Sequence, residues 1–202
     1  MTISCAFACG IPSPAVIVRQ AHRADYPAMR RVVLAAYQQY IDDIPPDLLP
    51  SYLADLVDFD RHSEHGQLLV AEMSGRICAS AAFYRDASAQ GLGWPAGWSS
   101  GRGLAVLPEA RNSGVATAML AEVERLSQEA GAPVFAFHTA SFMTSAIRLY
   151  ERLGYRRACE FDVDLAAHYR RRLGIPAQRS AALSERKPWT VIAFRRDLAR
   201  AA

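Results

Sequence analysis

The stretch Leu104-Ala105-Val106-Leu107-Pro108-Glu109-Ala110-Arg111-Asn112-Ser113-Gly114-Val115-Ala116-Thr117 reads as a strand, a turn of small and polar residues, and a helix starting near Ser113 or Gly114. The first N–H groups of a helix have no partner within it and lie at the positive end of its dipole, so such a turn can hold a phosphate. Gly114 permits close approach of a ligand to the main chain, Ala116 keeps the first turn slim, and Arg111 sets a cation at the mouth. Taken alone, the same residues could form an ordinary turn with Ser113 as the N-cap. Nucleotide sites of the familiar kinds fit less well. The three-glycine dinucleotide fingerprint is missing, no suitably placed acidic residue follows the next strand, and a phosphate-loop lysine cannot exist where Lys187 is the chain's only lysine.

Elements that must position this turn can be read on either side of it. Val16 to Gln20 is a short β-branched run, and after Asp25, an N-cap residue, Met29, Val32, Val33, Ala36, Tyr37 and Tyr40 recur at helical spacing. Pro45-Pro46 breaks that pattern, and Leu48, Leu49, Tyr52, Leu53, Leu56 and Val57 mark a second amphipathic helix. Asp58 to Gly66 reads as polar loop. Gln67 to Met73 and Ile77 to Tyr84 read as strands of a hairpin turning at Ser74-Gly75. From Asp86 to Arg102 no period is sustained, and a stretch of that kind in a compact domain is usually functional or mobile. Gly103 to Leu107 is the next strand, and Val115, Met119, Val123 and Leu126 define a helix that stops near Gly131. Pro133 to Phe137 reads as strand, Phe142 to Leu153 as helix, and Tyr155 to Asp162 and Thr190 to Arg196 as strands joined by an arginine-rich linker from Arg170 to Lys187.

Composition bounds the rest. With 202 residues, 51% hydrophobic and 21% charged, the chain suits one α/β domain over 16–202 after a loose leader over 1–15. A net charge of +3 is too small and too dispersed to indicate a nucleic-acid partner. The start lacks a basic n-region and is interrupted by Gly10, Pro12 and Pro14, and no apolar run reaches the ~18 residues of a membrane span. Neither a signal peptide nor a membrane partner is expected. Cys5, Cys9, Cys78 and Cys159 are scattered in a chain large enough to bury its own core, which points to a reducing cytoplasm rather than a disulfide framework. No second ligand pair at zinc spacing follows Cys5 and Cys9, and His62 and His65 with Asp60 and Glu64 lack the register of a zinc helix, so no metal is expected.

A second motif gives the phosphate turn a context. Ala146-Ile147-Arg148-Leu149-Tyr150-Glu151-Arg152-Leu153-Gly154-Tyr155 closes a helix just before a strand. With it, the sequence resembles the GNAT acetyltransferase family. That family's acyl-CoA motif, a strand followed by Arg/Gln-x-x-Gly-x-Gly/Ala and a helix, matches Arg111, Gly114 and Ala116, and its later helix motif matches Ala146 to Tyr155. The order of elements between Val16 and Asp197 is also similar. Either motif alone is weak, whereas the two together are specific.

The resemblance implies an α/β architecture, a mixed α+β sheet that is splayed at its centre, with about seven strands flanked by about four helices. It implies acetyl-CoA as acyl donor, without a metal, and transfer to a primary amine of a small molecule or peptide by direct attack. Main-chain groups of Leu104, Ala105 and Val106 would pair with the pantetheine arm, and Asn112, Ser113, Gly114, Val115, Ala116 and Thr117 would cradle the pyrophosphate beside Arg111. Tyr150 would protonate the leaving thiolate, or else be a core aromatic of its helix.

In two places the sequence departs from the family. Many members carry a glutamate shortly before the Leu-Ala-Val segment, and here Ser99-Ser100-Gly101-Arg102 has no carboxylate. A water relayed by Ser99 or Ser100, or His138 at its strand end, could take the amine proton, or a substrate amine of low pKa could need no base. Met143 stands where many relatives have an asparagine that contacts the cofactor. Tyr37, Tyr40, Asp42 and Asp43 close the first helix, and in the resembled family the first two helices border the acceptor, so these acids would suit a cationic amine; Trp98 is a further acceptor contact. Arg170-Arg171-Arg172 would either attract the cofactor's 3′-phosphate or form a solvated face. The missing glutamate also motivates an alternative, a non-catalytic acyl-CoA-binding or sensing module of the same fold. A homodimer through the last strands is a further option.

Overall fold

The computed structural model describes residues 15–175 and 189–198. The expected leader with Cys5 and Cys9, and the linker as far as Lys187, therefore lie largely outside the described residues. Strands β1 (Val16–Gln20), β2 (Gln67–Met73), β3 (Arg76–Tyr84), β4 (Ser99–Val106), β5 (Val134–Ala140), β6 (Arg156–Arg157), β7 (Val163–Asp164) and β8 (Thr190–Asp197) form a mixed 8-stranded sheet. Its order is β1-β2-β3-β4-β5-β8-β6, with β7 paired to β8. All pairs are antiparallel except β4 with β5. Helices α1 (Tyr26–Tyr37), α2 (Leu49–Leu56), α3 (Phe59–His65), α4 (Val115–Glu129), α5 (Thr144–Arg152) and α6 (Leu165–Arg172) cover the two faces. No described helix is long and apolar enough to cross a membrane.

The helices form where apolar residues repeat on one side. In α1 the buried residues are Met29, Val32, Val33, Ala36 and Tyr37, a stripe at i, i+3, i+4, i+7 and i+8. They join Tyr52 and Leu56 of α2, and Leu165, Ala166 and Tyr169 of α6, in the core on one face. On the other face Val115, Met119, Leu120 and Val123 of α4 pack with Tyr150 of α5 against Phe135, Phe137 and Phe194.

Several expectations are corrected. Asp58 to Gly66 is not loop but carries α3, capped by Asp58 Oδ1 accepting from Arg61 N–H at 3.2 Å. Only Phe59 and His62 of this helix are buried, too few to show a period. The start of the arginine-rich linker belongs to α6, whose first turn is capped by Asp164. β4 begins at Ser99, so Arg102 is sheet rather than loop, and Tyr155 to Asp162 holds only the short β6 and a 3-10 turn. The sheet thus has one strand more than expected, and α3 and α6 are the added helices.

Two features of β4 shape the site. It pairs with β5 only at Ser99, Ser100 and Gly101, after which the two strands part. Against β3, Gly103 and Leu104 stand opposite the single residue Ala81, a β-bulge that Gly103 accommodates with φ +64°. The gap so opened lies between Arg102–Val106 and His138–Ala140.

A buried ionic hub ties β4 to the helices. Asp55 of α2, with its side chain 3% exposed, accepts hydrogen bonds from Arg61, from Arg102, from Arg172 Nη1 at 2.9 Å and from Tyr169 Oη at 2.7 Å. Burial by itself would raise the Asp55 pKa, but Arg102, Arg172 and Tyr169 outweigh it and hold the carboxyl well below the usual carboxylate range. Because the folded pKa is depressed, this stabilisation is present above the unfolded carboxylate pKa of about 4 and is lost as pH falls below it. Asp55→Asn is expected to cost about 3 kcal/mol, the low end for a broken buried pair because Arg61 and Arg172 are half exposed. Urea titrations at pH 7 and pH 3 check this: the gap between wild type and variant should narrow at the lower pH.

Candidate functional site

Between the parted strands and the flanking helices run two connected cavities. The outer one, a groove of about 650 Å³, is lined by Leu104 and Val106 of β4, by Arg111, Asn112 and Gly114 to Thr117 at the α4 N-terminus, by Tyr37 and Tyr40, and by Ser145, Arg148, Leu149 and Arg152 of α5, whereas Ser113 and Ala105 do not line it. The inner one, of about 100 Å³, passes through the sheet and is lined among others by Tyr37, Tyr52, Gln90, Arg102, Leu104, His138, Met143 and Tyr150. Tyr37, Leu104, Met143 and Tyr150 border both.

The phosphate turn is built as a local device. Asn112 and Gly114 take left-handed conformations, φ 60° and 84°, and Ser113 Oγ donates to Ala110 O at 2.6 Å, folding the chain back before α4 begins. Ala118 N–H donates to Gly114 O at 2.9 Å as the first helical bond, so the N–H groups of Val115, Ala116 and Thr117 have no helical partner and face the groove's end. Arg111 is held by Gln39 Oε1 at 3.2 Å and Ala36 O at 3.4 Å, which ties it to the end of α1. Arg148 and Arg152 supply two more cations across the groove.

Those α5 arginines escaped the sequence reading, although their i, i+4 spacing would place them on one helix face. By contrast, Arg170 and Arg172 border neither cavity and pair with Asp47 and Asp55 instead. A solvated face does not describe Arg170, which is 7% exposed.

Among the catalytic candidates, Tyr150 is buried at the junction, its ring packed 4.5 Å from Phe137 and 5.7 Å from Phe194. Burial, with Tyr37 and Tyr40 nearby, raises its pKa, so the phenol is protonated at neutral pH. The His138 ring packs against Trp94 with centroids 4.3 Å apart and planes tilted by 34°, and its Nε2 lies 2.8 Å from Phe161 O. A carbonyl can only accept, so Nε2 carries the proton and Nδ1 is a bare, buried nitrogen without a partner. Burial brings the His138 pKa down to about 4, aided by the positive charge of Arg102. Ser100 does not border either cavity. It is fully buried and accepts from Gln90 Nε2 at 2.6 Å, so it sits behind a residue that lines the inner cavity.

The acceptor candidates divide. Tyr37 and Tyr40 border the groove, and the Tyr37 ring packs edge-on against Tyr52 with centroids 5.8 Å apart. Asp43 lines neither cavity, and its N–H closes a turn on Tyr40 O at 3.0 Å. Trp98 also lies away from both, packed on Trp94 and Phe161 with Arg195 over its ring. His62, read as part of a polar loop, is buried and bonded to Tyr84 Oη and Asp55 O, each at 2.7 Å. Among the described residues no group of three or more His, Cys, Asp or Glu is arranged to hold a metal.

The model of the acetyltransferase (GNAT) family matches residues 29–155 of this sequence, a span that contains both motifs and most of the cavity lining. The chain belongs to the GNAT acetyltransferase family. No curated protein matches its sequence. Among solved structures, a GNAT-family protein from Desulfovibrio desulfuricans is 21% identical, with 92% of this chain and 100% of that one covered and a TM-score of 0.63. The PaiA N-acetyltransferase of Thermoplasma acidophilum, solved with coenzyme A, is 9% identical with 91% and 99% covered and a TM-score of 0.64. The ribosomal-protein-S18-alanine N-acetyltransferase of Escherichia coli is 13% identical with 93% and 97% covered and a TM-score of 0.58. At these identities the likeness is one of fold, and this GNAT chain shares that fold along nearly its whole described length.

A carboxylate introduced at the phosphate turn tests the cradle. A side chain built on Gly114 would meet no atom within 4 Å, so Gly114→Glu is strained only through its φ of +84°. It is expected to fold, with a circular dichroism spectrum like that of wild type, and to lose acetyl-CoA affinity by at least ~10²-fold in calorimetry through like-charge repulsion.

Proposed function

We propose that this acyltransferase moves the acetyl group of acetyl-CoA to a primary amine by direct attack. The observation that carries this is the groove itself. An unpaired strand edge leads to a helix N-terminus ringed by Arg111, Arg148 and Arg152, and Tyr150 stands where the groove meets the inner cavity. An extended ligand with amides can hydrogen-bond along the β4 edge at Leu104, Ala105 and Val106, while its phosphates reach the N–H groups and arginines at the far end. Acetyl-CoA supplies the activated thioester.

The chain's own groups then divide the work. His138 Nδ1, neutral and without another partner, accepts a hydrogen bond from the attacking amine and orients it, and because burial brings its pKa down to about 4 the proton passes on to water. Asp55 is unsuited to that role, because its ion pairs hold it below the carboxylate range. A main-chain N–H at the parted edge of β4 meets the charge that develops on the thioester oxygen. Tyr150, protonated and at the junction, gives its proton to the departing sulfur. The C–N bond forms as the C–S bond breaks, and the products are an N-acetyl amine and a free thiol. Cys78, buried, and Cys159, exposed, are both unpaired, which fits a reducing cytoplasmic setting.

Calorimetry with acetyl-CoA, using NADH and ATP for comparison, should show saturable binding of acetyl-CoA alone; no binding would end this reading. Tyr150→Phe should lower kcat about 10²-fold with acetyl-CoA affinity kept, and unchanged turnover would remove Tyr150 from the chemistry. His138→Gln should lower kcat/KM by ~10²-fold at pH 7, and less toward pH 9.5 where more of the amine is already free. A uniform loss at every pH would make His138 a packing residue only.

A further inference from the structure

The inner cavity's charge narrows the acceptor's chemistry, an inference that rests on the acetyl-transfer reading. Among the described residues lining this cavity, Arg102 alone carries a full charge at neutral pH, since burial keeps His138 neutral and no carboxylate borders the space. The counter-ion of Arg102 is already shared: Asp55 also receives Arg61, Arg172 and the Tyr169 hydroxyl. Of the three guanidiniums on this carboxylate, Arg61 and Arg172 are half exposed to water, and Arg102 is the one that borders the cavity. Arg170 does not border it and pairs with Asp47 at 3.5 Å.

Arg102 also has donor capacity to spare. Its Nε is buried and without a hydrogen-bond partner, a state that costs free energy until an acceptor arrives. The Tyr37, Tyr52 and Gln90 side chains line the same space. A polyamine or other dication would bring a second positive charge toward Arg102 in a site of low dielectric where no acid among the described residues receives it. Asp42 and Asp43, which the sequence suggests as partners for a cation, border neither cavity. A volume of about 100 Å³ lies below the ~150 Å³ cavity that holds benzene, so the occupant is small.

We infer that the acceptor is a small primary amine bearing a carboxylate, of the α-amino acid class, and that Arg102 pairs with the carboxylate while the amine faces the gap between β4 and β5. A planar guanidinium suits this task because its fork matches the two carboxylate oxygens.

The experiment is a matched-pair screen on the full chain, read by thiol release from acetyl-CoA. Each of several L-amino acids is compared with its carboxamide and its decarboxylated amine. Wild type should favour the acid by ~10²-fold or more in kcat/KM, as a site built to bind a substrate group rejects the analogue without it. In Arg102→Gln that preference should fall below ~10-fold through a raised KM, with the calorimetric Kd for acetyl-CoA unchanged, and Arg102→Lys should recover part of it. Should Arg102→Gln fail to fold, the wild-type ratio decides by itself. Equal or better use of the amide or amine by wild type overturns the inference and leaves acetyl transfer intact. A chain that does not bind acetyl-CoA, or releases thiol with no amine, overturns the acetyl-transfer reading and this inference with it.

Discussion

The structure depends on the parting of two parallel strands. β4 and β5 are bonded at Ser99 to Gly101 and nowhere beyond, because the bulge at Gly103 and Leu104 redirects β4 toward β3. A sheet normally satisfies its backbone polar groups by continuing the ladder, and an interior edge that stops doing so must pair with something else. That unpaired edge creates the groove on one side and lets the inner cavity pass between the sheet's faces. Even the position of Tyr150 follows, since α5 packs on Phe137 just where the strands diverge.

On the helical side of the gap, charge takes over from hydrogen-bonded backbone as the organising term. Asp55 binds α2 to α3, α6 and β4 through arginines and a tyrosine, in a position almost closed to water. Such a hub does not gain its worth from Coulomb attraction alone, because desolvating the carboxylate offsets much of it. Its consequence is directional: the carboxyl is committed to structure, and Arg102, paired with it, is the cation that lines the cavity. The β4 stretch Ser99 to Arg102 thus offers no carboxylate to the cavity, only the cation of Arg102. Beside it, burial keeps His138 neutral.

Legibility in the sequence followed the range of the interactions. The stripe of Met29, Val32, Val33, Ala36 and Tyr37, the hairpin at Ser74-Gly75 and the phosphate turn are local devices, each set by spacing or by a left-handed residue, and each was readable. Helix α3 was not, because it buries two side chains and is nucleated by the Asp58 cap rather than by a stripe. Nor was α6, where Arg170, Arg171 and Arg172 suggest solvent while Tyr169 and Arg170 are in fact buried. Trp98, expected to touch the acceptor, instead closes a satellite core over β5 and β8 with Trp94 and Phe161.

What the sequence determined by itself was the turn before α4, the family and the strand that leads to the turn, since a few adjacent residues with fixed conformational preferences carry all three. Only the tertiary structure decided which charges meet. Arg102 and Asp55 are 47 residues apart, and Asp55 and Arg172 are 117 apart. No periodicity or motif encodes such pairings, because they arise when α2, α6 and β4 pack over one another and exclude the water that would otherwise screen them.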